Sequence, residues 1–301
     1  MTLPNFFIIG GVKCGTSSLY QHLKQHPEIY MSPVKEPHFF SYAYAGEPAG
    51  YRPGRMVTTL EEYEALFDGV SGEPAIGEAS AIYLYFGERV APRIRRYVPD
   101  ARLIVGLRDP VERAFSQFRM AVELGKESCE NFAAALRAEP SRVRQRLSPL
   151  FHYARQGMYY EQLRRYVDLF GRERLRVYLL EDFARDPISV LQDIFGFLGV
   201  DDRFFPRLKE PYNSTRRFRS QRLEDFIAKP SAAKRVVGAI LPVRLRRRLR
   251  WKVMRRNLTR HHLPAAERAR LVELYREDVL RVSELIGRDL SSWLSEGGGP
   301  G

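Results

Sequence analysis

The most constraining feature lies at the start of the chain. An apolar run at residues 5–10 breaks into Gly10-Gly11-Val12-Lys13-Cys14-Gly15-Thr16-Ser17-Ser18, and a helical pattern at 17–25 follows. A run that is apolar on both faces needs cover on both faces, which points to a strand inside a parallel sheet with helices packed on either side. The same switch from apolar run to helical spacing recurs at 75–78 with 88–97, at 102–107 with 110–124, and at 175–180 with 187–198. Gly157–Phe170 reads as a further helix, and 41–60, rich in Gly, Pro and Tyr, as a surface loop. This alternation predicts an α/β fold: a P-loop-like central parallel sheet flanked by helices.

The chain's 301 residues fit one large domain of this kind. Residues 1–218 are expected to form its ligand-binding core. Residues 219–296 form a helical, basic C-terminal extension whose last helix, 264–286, carries apolar residues at helical spacing (Leu271, Leu274, Val279, Val282, Leu285). Residues 297–301 are expected to be a disordered tail.

Charge narrows the partner. There are 49 Lys plus Arg against 36 Asp plus Glu, a net charge of +13, which calls for an anion. Ten of the basic residues fall between 234 and 256 with no acid among them, a segment suited to packing with a basic outer face, to an anionic polymer or to a membrane surface. No nucleic-acid motif accompanies it. Two cysteines, Cys14 and Cys129, make neither a disulfide framework nor a metal cluster, and no signal or membrane-spanning run is evident, so a cytosolic setting is expected.

Two segments carry chemistry. In the first turn, glycines bring backbone N–H groups close to an anion, the following helix adds the positive end of its dipole, and Thr16, Ser17 and Ser18 add hydroxyls. A nucleotide-triphosphatase loop needs Gly-Lys-Ser/Thr in sequence; here Lys13 precedes Gly15 by two positions. The second is Arg108-Asp109-Pro110-Val111-Glu112-Arg113-Ala114-Phe115-Ser116, at the end of the 102–107 strand, where open α/β sheets bind ligands. An Arg there suits a phosphate dianion. Plainer roles stay open for each: a simple strand–helix turn, and a local pair of Arg108 with Asp109 or Glu112.

Taken together, Lys-x-Gly-Thr-Ser after the first strand and Arg-Asp-Pro-x-Glu-Arg-x-x-Ser about ninety residues later resemble the PAPS-dependent sulfotransferases. PAPS is 3′-phosphoadenosine 5′-phosphosulfate; PAP is its desulfated product. Lys35-Glu36-Pro37-His38-Phe39-Phe40 resembles an element of the heparan-sulfate-type branch, and the closing Gly287-Arg288-Asp289-Leu290 with Trp293 resembles bacterial members. The resemblance implies a metal-independent transfer in which Lys13 stabilises the leaving oxygen. Cys14, Gly15, Thr16, Ser17 and Ser18 would hold the 5′-phosphate, and Arg108 and Ser116 the 3′-phosphate. Glu36 would act as general base, with His38 as its helper or as the base itself. Asn213-Ser214-Thr215-Arg216-Arg217-Phe218 resembles the family's late 3′-phosphate loop, which would make Arg216 and Arg217 a second clamp, with Arg217 where the family usually has Gly. A further departure is Glu78-Ala79-Ser80-Ala81, where heparan-sulfate-type enzymes often have Glu-Lys-Ser/Thr-Pro; the missing Lys argues against a glycosaminoglycan acceptor. The competing readings are a P-loop-type small-molecule kinase and a non-enzymatic binder of membrane or anionic polymer.

Overall fold

The computed structural model describes residues 2–41, 56–208 and 263–295. Five strands, β1 (Phe6–Gly10), β2 (Ile29–Met31), β3 (Ala75–Ala79), β4 (Arg102–Leu107) and β5 (Leu175–Leu179), form one sheet in the order β2-β3-β1-β4-β5. Every pairing is parallel. The helices that matter below are α1 (Thr16–Leu23), α2 (Leu60–Glu64), α3 (Gly87–Tyr97), α4 (Pro110–Glu123), α5 (Phe132–Arg144), α6 (Tyr159–Phe170), α7 (Leu180–Arg185), α8 (Pro187–Leu198) and α9 (Ala265–Ile286).

Strand periodicity divides the core into two layers. Phe7 and Ile9 of β1 and Leu103, Val105 and Leu107 of β4 pack with α3, α4, α6 and α9; Phe6, Ile8 and Ile104 face the other way, against α1 and α8. Because both faces are covered, β1 is buried along its whole length, which explains its unbroken apolar run.

The sheet, its order of elements and the C-terminal helix match the expected architecture. The elements absent from the sequence reading include β2 and α5, besides the short helices α2 and α7. β2 has only three residues, too short to show a period, and α5 carries Pro140 inside it, which masks its helical pattern. Residues 175–180 divide differently from the expectation, since Leu180 opens α7 rather than closing the strand.

α9 docks by polar as well as apolar contacts. The first residue before α6 is Met158, which has no side-chain acceptor for the helix's free N–H groups. Asp278 of α9 fills that role from 119 residues away, accepting from the Tyr159 amide at 2.7 Å and the Tyr160 amide at 3.1 Å. Among the described residues, no helix is long and apolar enough to cross a membrane.

Candidate active site

All parallel strands deliver their following loops to one edge of the sheet. There the turn after β1 carries Lys13, the segment after β2 carries Glu36 and His38, the end of β3 carries Glu78, and β4 runs into Arg108. This carboxyl-end convergence is where open α/β sheets hold ligands.

The turn after β1 is shaped by contacts that its sequence dictates. Gly11 donates to the Gly106 carbonyl of β4 at 2.6 Å, and Tyr178 of β5 donates to the Cys14 carbonyl at 3.1 Å. Gly15 precedes α1 with φ of 82°, and a Cβ there would lie 2.7 Å from Leu180 Cδ1, so any side chain is strained and crowds Leu180. Cys14 is fully buried; its amide bonds the Gly11 carbonyl at 3.1 Å and its sulfur lies 3.8 Å from the Tyr159 hydroxyl. Burial pushes its thiol up to about 11, with nearby Arg113 opposing. Cys14 is therefore an inward filler of the turn, and its thiol is no ligand of a bound anion. Thr16 is buried, Ser18 half-buried and Ser17 exposed, at the start of α1.

Lys13 is half-buried in a left-handed backbone conformation, φ 69°. Burial lowers its pKa; the charge of Glu123 opposes this, while those of Arg108 and Arg119 reinforce it. The loop's lysine and the β4 arginine thus lie within electrostatic reach of each other, as the sequence motifs required. Arg119 and Glu123 lie beyond the motif that ends at Ser116. The signal was available: Ser116, Arg119 and Glu123 follow at i, i+3 and i+7 along α4, the spacing of one helix face. Arg119 Nε is buried and without a hydrogen-bond partner among the described residues.

Arg108 is half-buried, and its carbonyl accepts from Tyr159 Oη at 3.0 Å. Its guanidinium lies 3.6 Å from Glu112, so the local pair weighed from sequence is present as a loose contact. Asp109 instead caps α4, accepting from the Val111 amide at 2.8 Å and the Glu112 amide at 3.2 Å. Ser116 is half-buried two turns into the helix. Arg113 turns inward: it is fully buried, donates to Gln117 at 2.5 Å and to the Tyr153 carbonyl, and serves packing.

Glu36 and His38 also adopt left-handed backbone, with φ of 58° and 61°. Among the described residues four non-glycine positions do so, and three are Lys13, Glu36 and His38. Such conformations cost about 1–3 kcal/mol each and concentrate at functional sites. The Glu36 amide bonds the Ala79 carbonyl at 2.8 Å, pinning this segment to the end of β3. Glu36 pairs with Lys35 at 2.7 Å, and His38 Nε2 lies 3.6 Å from its other oxygen. His38 is buried, which lowers its pKa against the pull of Glu36 and favours the neutral ring. Phe39 and Phe40 are core residues, as expected; Phe39 stacks on Tyr63 with centroids 4.4 Å apart.

Glu78, left without a role by the sequence, is the hub behind this segment. It is fully buried and accepts from Tyr63 at 2.6 Å, Ser80 at 2.6 Å and Tyr83 at 3.3 Å. Tyr83 Oη in turn accepts from the Phe40 amide at 3.2 Å. Burial pushes the Glu78 carboxyl up to about 7, the three hydroxyls opposing and the charge of Glu36 adding to it. Arg216, Arg217, the basic segment 234–256 and the tail 297–301 lie outside the described residues.

A parallel sheet whose first turn offers backbone N–H groups and a lysine, faced by an arginine from the adjacent strand, defines an α/β protein of the P-loop-like class with cationic groups at its carboxyl edge. A model of the sulfotransferase family matches residues 86–204. The crystal structure of a sulfotransferase from Alicyclobacillus acidocaldarius is 35% identical, with a TM-score of 0.73, covering 98% of this chain and 100% of that one. The chain belongs to the sulfotransferase family. Mouse carbohydrate sulfotransferase 15 is 28% identical over 268 residues, 71% of this chain and 48% of that protein. Mouse heparan sulfate glucosamine 3-O-sulfotransferase 3A1 is 27% identical over 254 residues, 82% of this chain and 58% of that protein. The chain thus spans about half the length of the curated relatives it matches.

Proposed function

We propose that this chain transfers a sulfuryl group from PAPS to a hydroxyl or amine of a saccharide, lipid or small natural product. The observation that carries the reading is one edge of the sheet holding a cationic anion cradle (Lys13, Arg108, Arg119) beside a strained carboxylate–imidazole pair, Glu36 and His38.

The residues fit such a donor. Partial burial makes the Lys13 charge costly, and an anion beside it offsets that cost. The amides of the turn and the start of α1 suit the 5′-phosphate, with the hydroxyls of Thr16, Ser17 and Ser18; Arg108 and Ser116 suit the 3′-phosphate. In the in-line step, the acceptor oxygen or nitrogen forms a bond to sulfur as the bond from sulfur to the bridging oxygen breaks. The acceptor's proton goes to Glu36, and the charge on the departing PAP meets the Lys13 ammonium. Neutral His38, 3.6 Å from Glu36, stands by as its helper or as the base itself. Positioning and charge stabilisation then carry the catalysis.

Ala79, in place of the lysine often found there, favours an acceptor other than a glycosaminoglycan. Arg216 and Arg217, outside the described residues, are proposed as a second clamp on the 3′-phosphate, and 234–256 as a surface for an anionic polymer or membrane. Calorimetric titration with PAP, ADP and ATP with magnesium tests the reading. PAP should bind well and ATP poorly, with Arg108→Ala abolishing PAP binding. ATP binding in preference to PAP would support the kinase instead. Affinity for anionic polymer or lipid that survives loss of Lys13 and disappears on deletion of 234–256, without PAP binding, would support the non-enzymatic reading.

A further inference from the structure

The C-terminal helix places one buried cation on the motif that carries Arg108. Arg268 of α9 donates from Nη2 to Asp109 Oδ2 at 3.1 Å and from Nη1 to Glu112 Oε1 at 3.1 Å, with its side chain only 7% exposed. Its Nε has no partner among the described residues, so these two carboxylates take all of its hydrogen bonding there. The other oxygen of Glu112 lies 3.6 Å from Arg108 Nη2, beyond hydrogen-bond length. Glu112 therefore stands between two guanidinium groups and is bound to the one from the distant helix.

This arrangement answers a difficulty built into the motif. Glu112 follows Arg108 at i+4, where opposite charges attract. Left to itself it competes with any anion for Arg108. Asp109 and Glu112 also place two negative charges beside a site meant for a dianion. Arg268 offsets both charges, and its planar fork can span two carboxylates at once, which a lysine ammonium on a single stem does less well.

We propose that Arg268 is a positioning residue of the donor site: by holding Glu112 and Asp109 it keeps the Arg108 guanidinium available to the 3′-phosphate. The inference rests on the assignment of Arg108 to that phosphate. It gives α9 a role that the apolar spacing of residues 264–286 did not reveal.

The test compares PAP with AMP, which lacks the 3′-phosphate, by calorimetry on the full chain. In Arg268→Gln, Kd for PAP should rise about tenfold or more, about 1.4 kcal/mol, while Kd for AMP changes less than about twofold. Adding Glu112→Gln to that variant should restore PAP affinity to within about threefold of wild type, because the competitor is gone. Arg268→Lys should fall between wild type and Arg268→Gln. Equal weakening of PAP and AMP, or no recovery in the double variant, would show a merely structural contact and overturn the proposal. Should circular dichroism show Arg268→Gln unfolded, Glu112→Gln alone decides. PAP affinity equal to or tighter than wild type supports the competition, and weaker affinity overturns it. A wild-type chain that does not prefer PAP to AMP would overturn the donor assignment itself; a clear wild-type preference left intact in Arg268→Gln would overturn only the role of Arg268.

Discussion

Replacing Glu78 by Gln should change how the stability of this protein depends on pH. Glu78 is fully buried, with hydroxyls from Tyr63, Ser80 and Tyr83 on its two oxygens, and burial raises its carboxyl from an ordinary 4.5 to about 7. A raised carboxyl binds its proton more tightly folded than unfolded. Its contribution to stability is therefore fully present below the ordinary value and is lost as pH rises through about 7. Over the whole interval the loss is about 3 kcal/mol, most of it between roughly pH 5 and pH 8. Glutamine has nearly the same shape and no charge to bury. It keeps one acceptor oxygen, and its amide can donate to a hydroxyl turned round to accept, so it carries an offset of about 1 kcal/mol that does not vary with pH. Urea unfolding of both proteins at the two pH values measures the effect. The stability of Glu78→Gln relative to wild type should improve by about 2–3 kcal/mol on going from the acid to the alkaline condition. Other titrating groups cancel in that difference. A difference that stays constant with pH would refute the reasoning, because Glu78 would then ionise alike in the folded and unfolded chains.

Lys13→Met should lower single-turnover sulfuryl transfer by about 10²–10³-fold while PAP affinity falls less than about tenfold; equal losses in both would remove its leaving-group role. Glu36→Gln should cut turnover by about 10²–10⁴-fold and His38→Asn by less, measured with labelled PAPS once an acceptor is in hand. The reverse order would make His38 the base. Gly15→Ala forces a Cβ to 2.7 Å from Leu180 Cδ1 at φ 82°. It should cost about 1–3 kcal/mol in thermal unfolding and weaken PAP binding; an unchanged melt would show that the turn relaxes freely.

Residues adjacent along the chain were legible from sequence because strand burial and helix entry are local events. The run Phe6–Gly10 needed cover on both faces, and the turn through Gly15 announced an anion cradle. Asp109 and Pro110 marked the start of α4. The motif order also brought Lys13, Arg108, Glu36 and His38 to one edge, since parallel strands must end together. Hydrogen bonding across the fold was not legible. Nothing near Glu78 in sequence predicts that Tyr63 joins Ser80 and Tyr83 around its carboxyl, nor that burial carries its ionisation to about 7. The inward turn of the Cys14 thiol depends on Tyr159, and the cap of α6 depends on Asp278. Arg268 reaches Asp109 across 159 positions, and Glu112 across 156. The sequence by itself determined the alternating elements and the chemistry offered at each strand end, because these follow from nearest neighbours. Only the tertiary structure decided which charges are buried and which groups share a proton or a partner, because burial and Coulomb energy depend on distances that chain order does not set.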